Sequence, residues 1–178
     1  MAGADGCGVG WVRAYVGLGS NLDEPAEQVR AGLHALSRVP LTWLAGASGL
    51  YANPPMGPQD QPDYVNAVAA LDTALDPLLL LDALLAVECM QGRRRGRRWG
   101  PRRLDLDLLL WGDARLRLPR LTLPHPGLHE RAFVLYPLAE LAPRLDVPGY
   151  GPVEALKARV DGRGLRPIAE ASGRIGAE

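Results

Sequence analysis

The chain predicts an α+β fold with a ferredoxin-like βαββαβ core: a mainly antiparallel sheet packed with helices, followed by extra C-terminal helix and strand elements. Three observations carry that expectation. Segments with period-two and helical hydrophobic spacing follow one another as strand, helix, strand, strand, helix, strand. The 178 residues contain no repeat or linker-like stretch, and that length suits one domain. The hydrophobic share, 47 %, is enough for one ordinary core.

In residues 11–18, Val12, Ala14, Val16 and Leu18 share one face while Trp11, Arg13 and Tyr15 take the other, as in a strand. Ala26, Val29, Leu33 and Leu36 then recur at helical spacing, with Asp23 and Pro25 as start signals and Gly32 as a weak point. Residues 41–51 form a strand candidate diluted by Ala and Gly. Residues 64–71 form a cleaner one, with Tyr64, Asn66 and Val68 on one face. Asp76 reads as an N-cap with Pro77 at the first helical position, and the apolar run to Met90 stops at Gly92. Residues 104–111 read as a buried strand, Trp111-Gly112-Asp113 as a turn, and 133–141 as a third helix. From Lys157 onward the pattern weakens. The expected layout is a single domain over 11–160 with flexible terminal segments at 1–10 and 161–178. Two irregular stretches, 52–63 (ANPPMGPQDQPD) and 91–103 (QGRRRGRRWGPRR), end at sheet strands and should meet at neighbouring rims. Loops of that length in a compact domain are usually functional or disordered.

Formal net charge is zero and the pI is near 6.8, which argues against a generic nucleic-acid or membrane binder. No apolar run reaches the roughly 18–20 residues of a membrane span. The Gly-rich opening lacks the basic and apolar regions of a secretory signal. Cys7 and Cys89 have no metal-type spacing and make no disulfide framework. A reducing, cytoplasmic setting is expected.

Asp105 and Asp107 carry the sharpest chemical signal. Standing two apart in a strand, they leave the same face of a backbone that rises about 3.3 Å per residue. Leu106, Leu108 and Leu110 should take the opposite face. Two such carboxylates repel, and the pattern becomes sensible with cations between them. Mg²⁺ suits a tight oxygen site completed by water and phosphate oxygens, and two such ions about 3.5–4 Å apart can clamp an in-line displacement. Alone, the motif fits equally a half-exposed strand whose acids pair with Arg, or the D-x-D of a sugar-nucleotide transferase.

Arg93, Arg94, Arg95, Arg97, Arg98, Arg102 and Arg103 fall within thirteen residues that hold no acid. Their guanidinium forks match phosphate oxygens, and Trp99 offers a flat face for a ring. The same stretch alone is compatible with a solvated charge run or an RNA-binding patch. An RNA-recognition module of this strand order carries aromatic stacking residues on its third strand, which here reads YVNAVAAL. Lys157 is the sole lysine, so there is no G-x-x-x-x-G-K-[ST] loop. Leu22 occupies the third glycine position of a dinucleotide fingerprint begun by Gly17 and Gly19. That Gly pair reads as a tight turn leading to Asn21. His125, between Pro124 and Pro126, sits in a rigid turn, as a surface group or a catalyst. Glu88 lies late in its helix, where an acid opposes the dipole and implies a partner such as Arg.

Four ordered segments together resemble one family, the 6-hydroxymethyl-7,8-dihydropterin pyrophosphokinases of the folate pathway. They are YVGLGSN (15–21), PPMGPQDQPDYVN (54–66), RWGPRRLDLD (98–107), and LTLPH (121–125) with Arg131 and Phe133. The resemblance implies transfer of the diphosphate of ATP to the pterin alcohol with release of AMP. It implies that Asp105 and Asp107 hold two Mg²⁺ ions, and that Arg93 and Arg102 close over the phosphates as mobile catalytic arginines. Asn53, Pro54 and Met56, mainly through backbone groups, with Tyr64, Asn66, Trp99 and Phe133, would hold the pterin. Glu88, Arg95, Trp99, Arg102, Leu108, Arg120, Thr122, His125 and Arg131 would hold ATP, with Leu108 against adenine. The implied partners are these small molecules, without nucleic acid or membrane, and the implied state is a monomer. The remaining alternative is an RNA-binding module of the same fold that uses the arginine loop. Leu85 and Pro126 stand where some members have Gln and Tyr, and the arginine loop looks one residue short. Gly92, Gly96 and Gly100 offer flexible points, so this loop is expected to be mobile without ligands and to close as a lid.

Overall fold

Alternation in the sequence becomes a sheet with two different apolar faces, each covered by helices. The computed structural model describes residues 10–92 and 101–169. β1 (Val12–Ser20) is followed by α1 (Pro25–Leu36), β2 (Thr42–Ala47), β3 (Tyr51–Asn53) and β4 (Tyr64–Thr73). After them, α2 (Pro77–Met90) and β5 (Asp105–Trp111) complete the core. β1 runs antiparallel between β4 and β5, while β2 and β3 succeed each other along the outer edge of β4. This is the expected ferredoxin-like arrangement. The single strand expected over 41–51 is two. The register shifts between Leu44 and Gly46, and the Ser48 hydroxyl accepts the Val68 N–H at 2.9 Å, taking a bond that a continuous strand would have made.

One face of the sheet packs Ala14, Val16, Leu18, Leu106 and Leu108 against Val29 and Leu36 of α1 and Leu80 and Leu84 of α2. The extra C-terminal elements complete both: Leu116, Leu121 and Leu123 join this first face, and two further helices cover the other. These elements are the hairpin β6 (Leu116–Leu118) and β7 (Leu121–Leu123), α3 (Ala132–Leu141), the short pair β8 (Asp146–Val147) and β9 (Gly151–Pro152), α4 (Val153–Lys157) and β10 (Arg166–Pro167). Leu135 and Leu138 of α3 pack there with Val153 and Leu156 of α4 on Tyr15, Val68, Ala70, Leu109 and Leu110. Leu110 is thus a correction, because it was expected beside Leu106 and Leu108. The register slips by one residue between Tyr15 and Val16, leaving Leu109 without a partner opposite it. A bulge of this kind reverses the face of everything beyond it.

α2 starts as its sequence directs, with Asp76 accepting from Leu78 N and Leu79 N. α1 does not: Asp23 and Glu24 both have positive φ, no side chain caps the helix, and Asp23 instead pairs with Arg103 at 2.5 Å. Pro25 at the first position then fixes the start. A flexible tail was expected from 161, yet within the described residues Arg166 and Pro167 pair with Ala52 and Tyr51 of β3 and extend the sheet. No helix among the described residues is long and apolar enough to cross a membrane.

Candidate active site

The floor of the site comes from two neighbouring strands. Asp105 lies opposite Gly19 and Asp107 opposite Gly17 in the β1–β5 register, so each carboxylate rises beside bare backbone. The Gly17-Leu18-Gly19 run, read as a turn, is therefore corrected to the interior of β1. Glycine inside a strand marks a place where something approaches closely, and that was the available signal. A cavity of about 320 Å³ opens here. Its walls carry Asn53, Met56, Tyr64, Asn66 and Phe133, together with Arg102, Asp105, Asp107, His125 and Arg131.

β5 is an edge strand, and a second cavity of about 300 Å³ runs along its free side. Leu81, Leu106, Leu108, Leu118 and Leu121 give it an apolar lining, and Arg120, Thr122 and Pro126 add to the wall. Asp107 and His125 belong to both cavities. The sequence-predicted residues thus divide by compartment. Arg131, expected with the nucleotide, lines the first cavity, while Pro54, Leu85 and Glu88 line neither. Glu88 is 1 % exposed, and its carboxylate accepts the Leu106 N–H at 2.7 Å on the free edge of β5. That contact satisfies an edge amide and holds the strand at the residue between its two acids. Arg93, Arg95 and Trp99, with the expected mobility of their loop, lie outside the described residues.

Hydrogen bonds set the polar groups. Arg102 Nη1 donates to Asp105 Oδ2 at 2.6 Å. Its backbone is held by Asn21, whose N–H donates to Arg102 O at 3.1 Å and whose Oδ1 accepts Arg102 N–H at 2.9 Å. The same Asn21 amide donates to Gln61 Oε1 and Pro62 O at 3.1 and 3.2 Å, so the two long loops do meet, at one buried side chain. Asn21 and Gln61 escaped notice as site residues because neither belongs to a chemical motif. In the first cavity Asn66 Nδ2 donates to Asn53 Oδ1, and Asn53 Nδ2 donates to Pro54 O at 2.8 Å. Arg131 lies 5.9 Å from the Phe133 ring centroid. Arg120 pairs with Asp82.

His125 N–H donates to Leu109 O at 2.9 Å, fixing the residue over β5. Its Nδ1 accepts the Gly127 N–H at 3.2 Å, which assigns the imidazole proton to Nε2, 3.9 Å from Asp107 Oδ2. Burial lowers the His125 pKa, outweighing the pull of Asp107, and Arg131 lowers it further. Burial and then the charge of Asp105 push the Asp107 carboxyl above its ordinary range. A neutral imidazole thus faces a carboxylate that is costly to ionise. Groups shifted in this way cluster at functional sites. Among the described residues no group of three or more His, Cys, Asp and Glu forms a metal cage.

Fold and site together define a class: a ferredoxin-like protein with paired compartments that meet over the acids of one edge strand. Residues 15–143 match the family model described as 7,8-dihydro-6-hydroxymethylpterin-pyrophosphokinase, and the chain belongs to this family of enzymes. A 2-amino-4-hydroxy-6-hydroxymethyldihydropteridine pyrophosphokinase of Pseudomonas aeruginosa is 61 % identical over 136 residues, 76 % of this chain and 84 % of that protein. One from Bacillus subtilis is 34 % identical over 160 residues, 90 % of this chain and 92 % of that one. Among solved structures, Plasmodium falciparum HPPK-DHPS wild type with STZ-DHP superposes with a TM-score of 0.66 at 14 % identity. The match covers 84 % of this chain and 43 % of that longer one, and it speaks to the fold alone. Family membership leaves the RNA-binding alternative without support.

Proposed function

We propose that this chain transfers the diphosphate of ATP to the hydroxymethyl group of 6-hydroxymethyl-7,8-dihydropterin, releasing AMP, as a step in folate biosynthesis. The observation that carries this is the pair of compartments sharing Asp107 and His125. One has the amides and aromatic ring suited to a flat heterocycle, the other an apolar slot with Arg and Thr suited to a nucleotide. In the first, Asn53 and Asn66 read the edge of the pterin while Phe133 and Tyr64 flank its ring. In the second, adenine lies along Leu108, with Arg120 and Thr122 toward the sugar and phosphates.

The acceptor alcohol and the β-phosphorus are thereby brought together above Asp105 and Asp107, and most of the rate enhancement is positioning and charge stabilisation. Magnesium fits this donor set. Burial and then Asp105 disfavour the charged form of Asp107, which a cation would relieve, and a carboxylate pair suits an ion that keeps water and phosphate oxygens. When bound by Asp105 and Asp107, two Mg²⁺ ions supply neutralisation of the polyphosphate charge. Arg102 and Arg131 add donors to the shifting charge, and His125 presents its Nε2–H from the shared wall. Arg93, Arg95 and Trp99 are assigned to the cap over both substrates. The reading includes a cytoplasmic setting and a monomeric state.

Purified protein mixed with ATP, Mg²⁺ and hydroxymethyl-dihydropterin should yield AMP and a diphosphorylated pterin in equal amounts. Release of ADP in place of AMP, or no product, refutes the assignment.

A further inference from the structure

The family model ends at residue 143, yet the chain beyond α4 returns to the loop that walls the first cavity. Asp161 Oδ1 accepts the Arg163 N–H at 2.9 Å and starts a turn. Gly162 then passes against Tyr136 of α3 with no space for a side chain. Gly164, at φ +85°, brings the backbone so near Pro54 that a Cβ would lie 3.3 Å from its Cδ. Only glycine adopts that conformation without strain. Arg166 next pairs with Ala52, and Ile168 N–H closes the segment on Leu50 O at 2.8 Å.

One further contact reaches the far end of the loop. Arg166 Nη2 donates to Asp63 Oδ2 at 2.9 Å, and Asp63 stands between Gln61 and Tyr64, both in the cavity wall. The segment therefore touches the loop where it begins, at Pro54, and where it ends, at Asp63. Between these points the loop makes turns of its own, such as Gln61 Nε2 to Pro58 O at 3.0 Å, and receives Asn21 at Gln61 and Pro62.

We propose that residues 161–169 form a strap that fixes the span of this loop, with Arg166 a positioning residue that sets affinity for the pterin through Asp63. The inference rests on the proposed reaction for its choice of ligand. Arg166 does not reach the cavity, so it governs how often the wall is in its binding geometry, not the chemistry. An unready wall weakens apparent affinity by the fraction of time it is unready.

The test is a charge swap: Arg166→Asp, Asp63→Arg and the double variant, with Arg159→Asp as a surface control of equal charge change. Arg166→Asp is expected to raise KM for the pterin by about 2- to 5-fold, the scale of an exposed ion pair, with KM for ATP and kcat unmoved. The double variant should restore it, and the difference should shrink at high salt. An unchanged pterin KM in Arg166→Asp, an equal effect of Arg159→Asp, or a failure of the double variant to recover overturns the strap. The parent chain separates the two readings. If it makes no AMP, the reaction is wrong, while direct pterin binding, followed by the ring's own fluorescence, still decides the strap.

Discussion

Asp107, which we propose as a metal ligand, would serve catalysis at the expense of folding. Its carboxyl is raised above the ordinary range by burial and by Asp105, so the folded protein holds that proton more tightly than the unfolded chain. A raised carboxyl favours folding below the unfolded value of 3.8, and the benefit is lost as pH climbs through the higher folded value. In metal-free buffer at pH 7, Asp107→Asn should therefore melt slightly above the parent, the gap kept small by the solvent that reaches this 43 % exposed side chain. The gap should close on acidification toward pH 4. The same substitution, like Asp105→Asn, should cut turnover by about a hundredfold or more, read as AMP release, with far-UV circular dichroism unchanged. A variant that is both inactive and less stable would contradict this account.

At the scale of elements, most of the core was legible because periodicity and caps act locally. Asp76 is the clearest case: its side chain accepts from Leu78 N and Leu79 N at 2.9 and 3.0 Å, as the Asp-Pro start predicts. Asp76→Ala should cost about 1 kcal/mol, a fall of about 2–4 °C in Tm, without altering kcat. An unaltered melt would show that the cap is redundant. Where periodicity failed, a nonlocal event was responsible. The bulge that turns Leu110 to the other face falls at Leu109, which has no partner opposite it on β1 and whose carbonyl accepts the His125 N–H. Asp23 lost its capping role to Arg103, eighty residues away. No window of sequence contains such competitors.

Across the whole molecule, the acids and several side chains of the first cavity were readable from motif order, whereas the parts that hold them together were not. Asn21 and Gln61 have no reactive chemistry, and Gly17 and Gly19 matter by lacking side chains. Glu88 stands out in the sequence as an acid against its helix dipole, but its bond to the Leu106 main-chain amide leaves no trace there. Asn21 gives this a test. It is 1 % exposed and joins Arg102 to Gln61 and Pro62, so it couples the group on Asp105 to the wall of the first cavity. Asn21→Ala should lower kcat and raise the pterin KM together, each by about tenfold, the effect of roughly 1.4 kcal/mol, while sparing KM for ATP. A change confined to one parameter would mean that the loops are set independently.

The glycine floor has a further consequence for inhibition. A compound resting on Gly17 and Gly19 would press on main-chain atoms, which no point mutation deletes. Escape would require adding bulk, and at Gly19 even a methyl group would come within 2.9 Å of the Asn66 side-chain oxygen, disturbing the group assigned to read the natural substrate. Drug resistance by that route should therefore carry a fitness penalty from the outset.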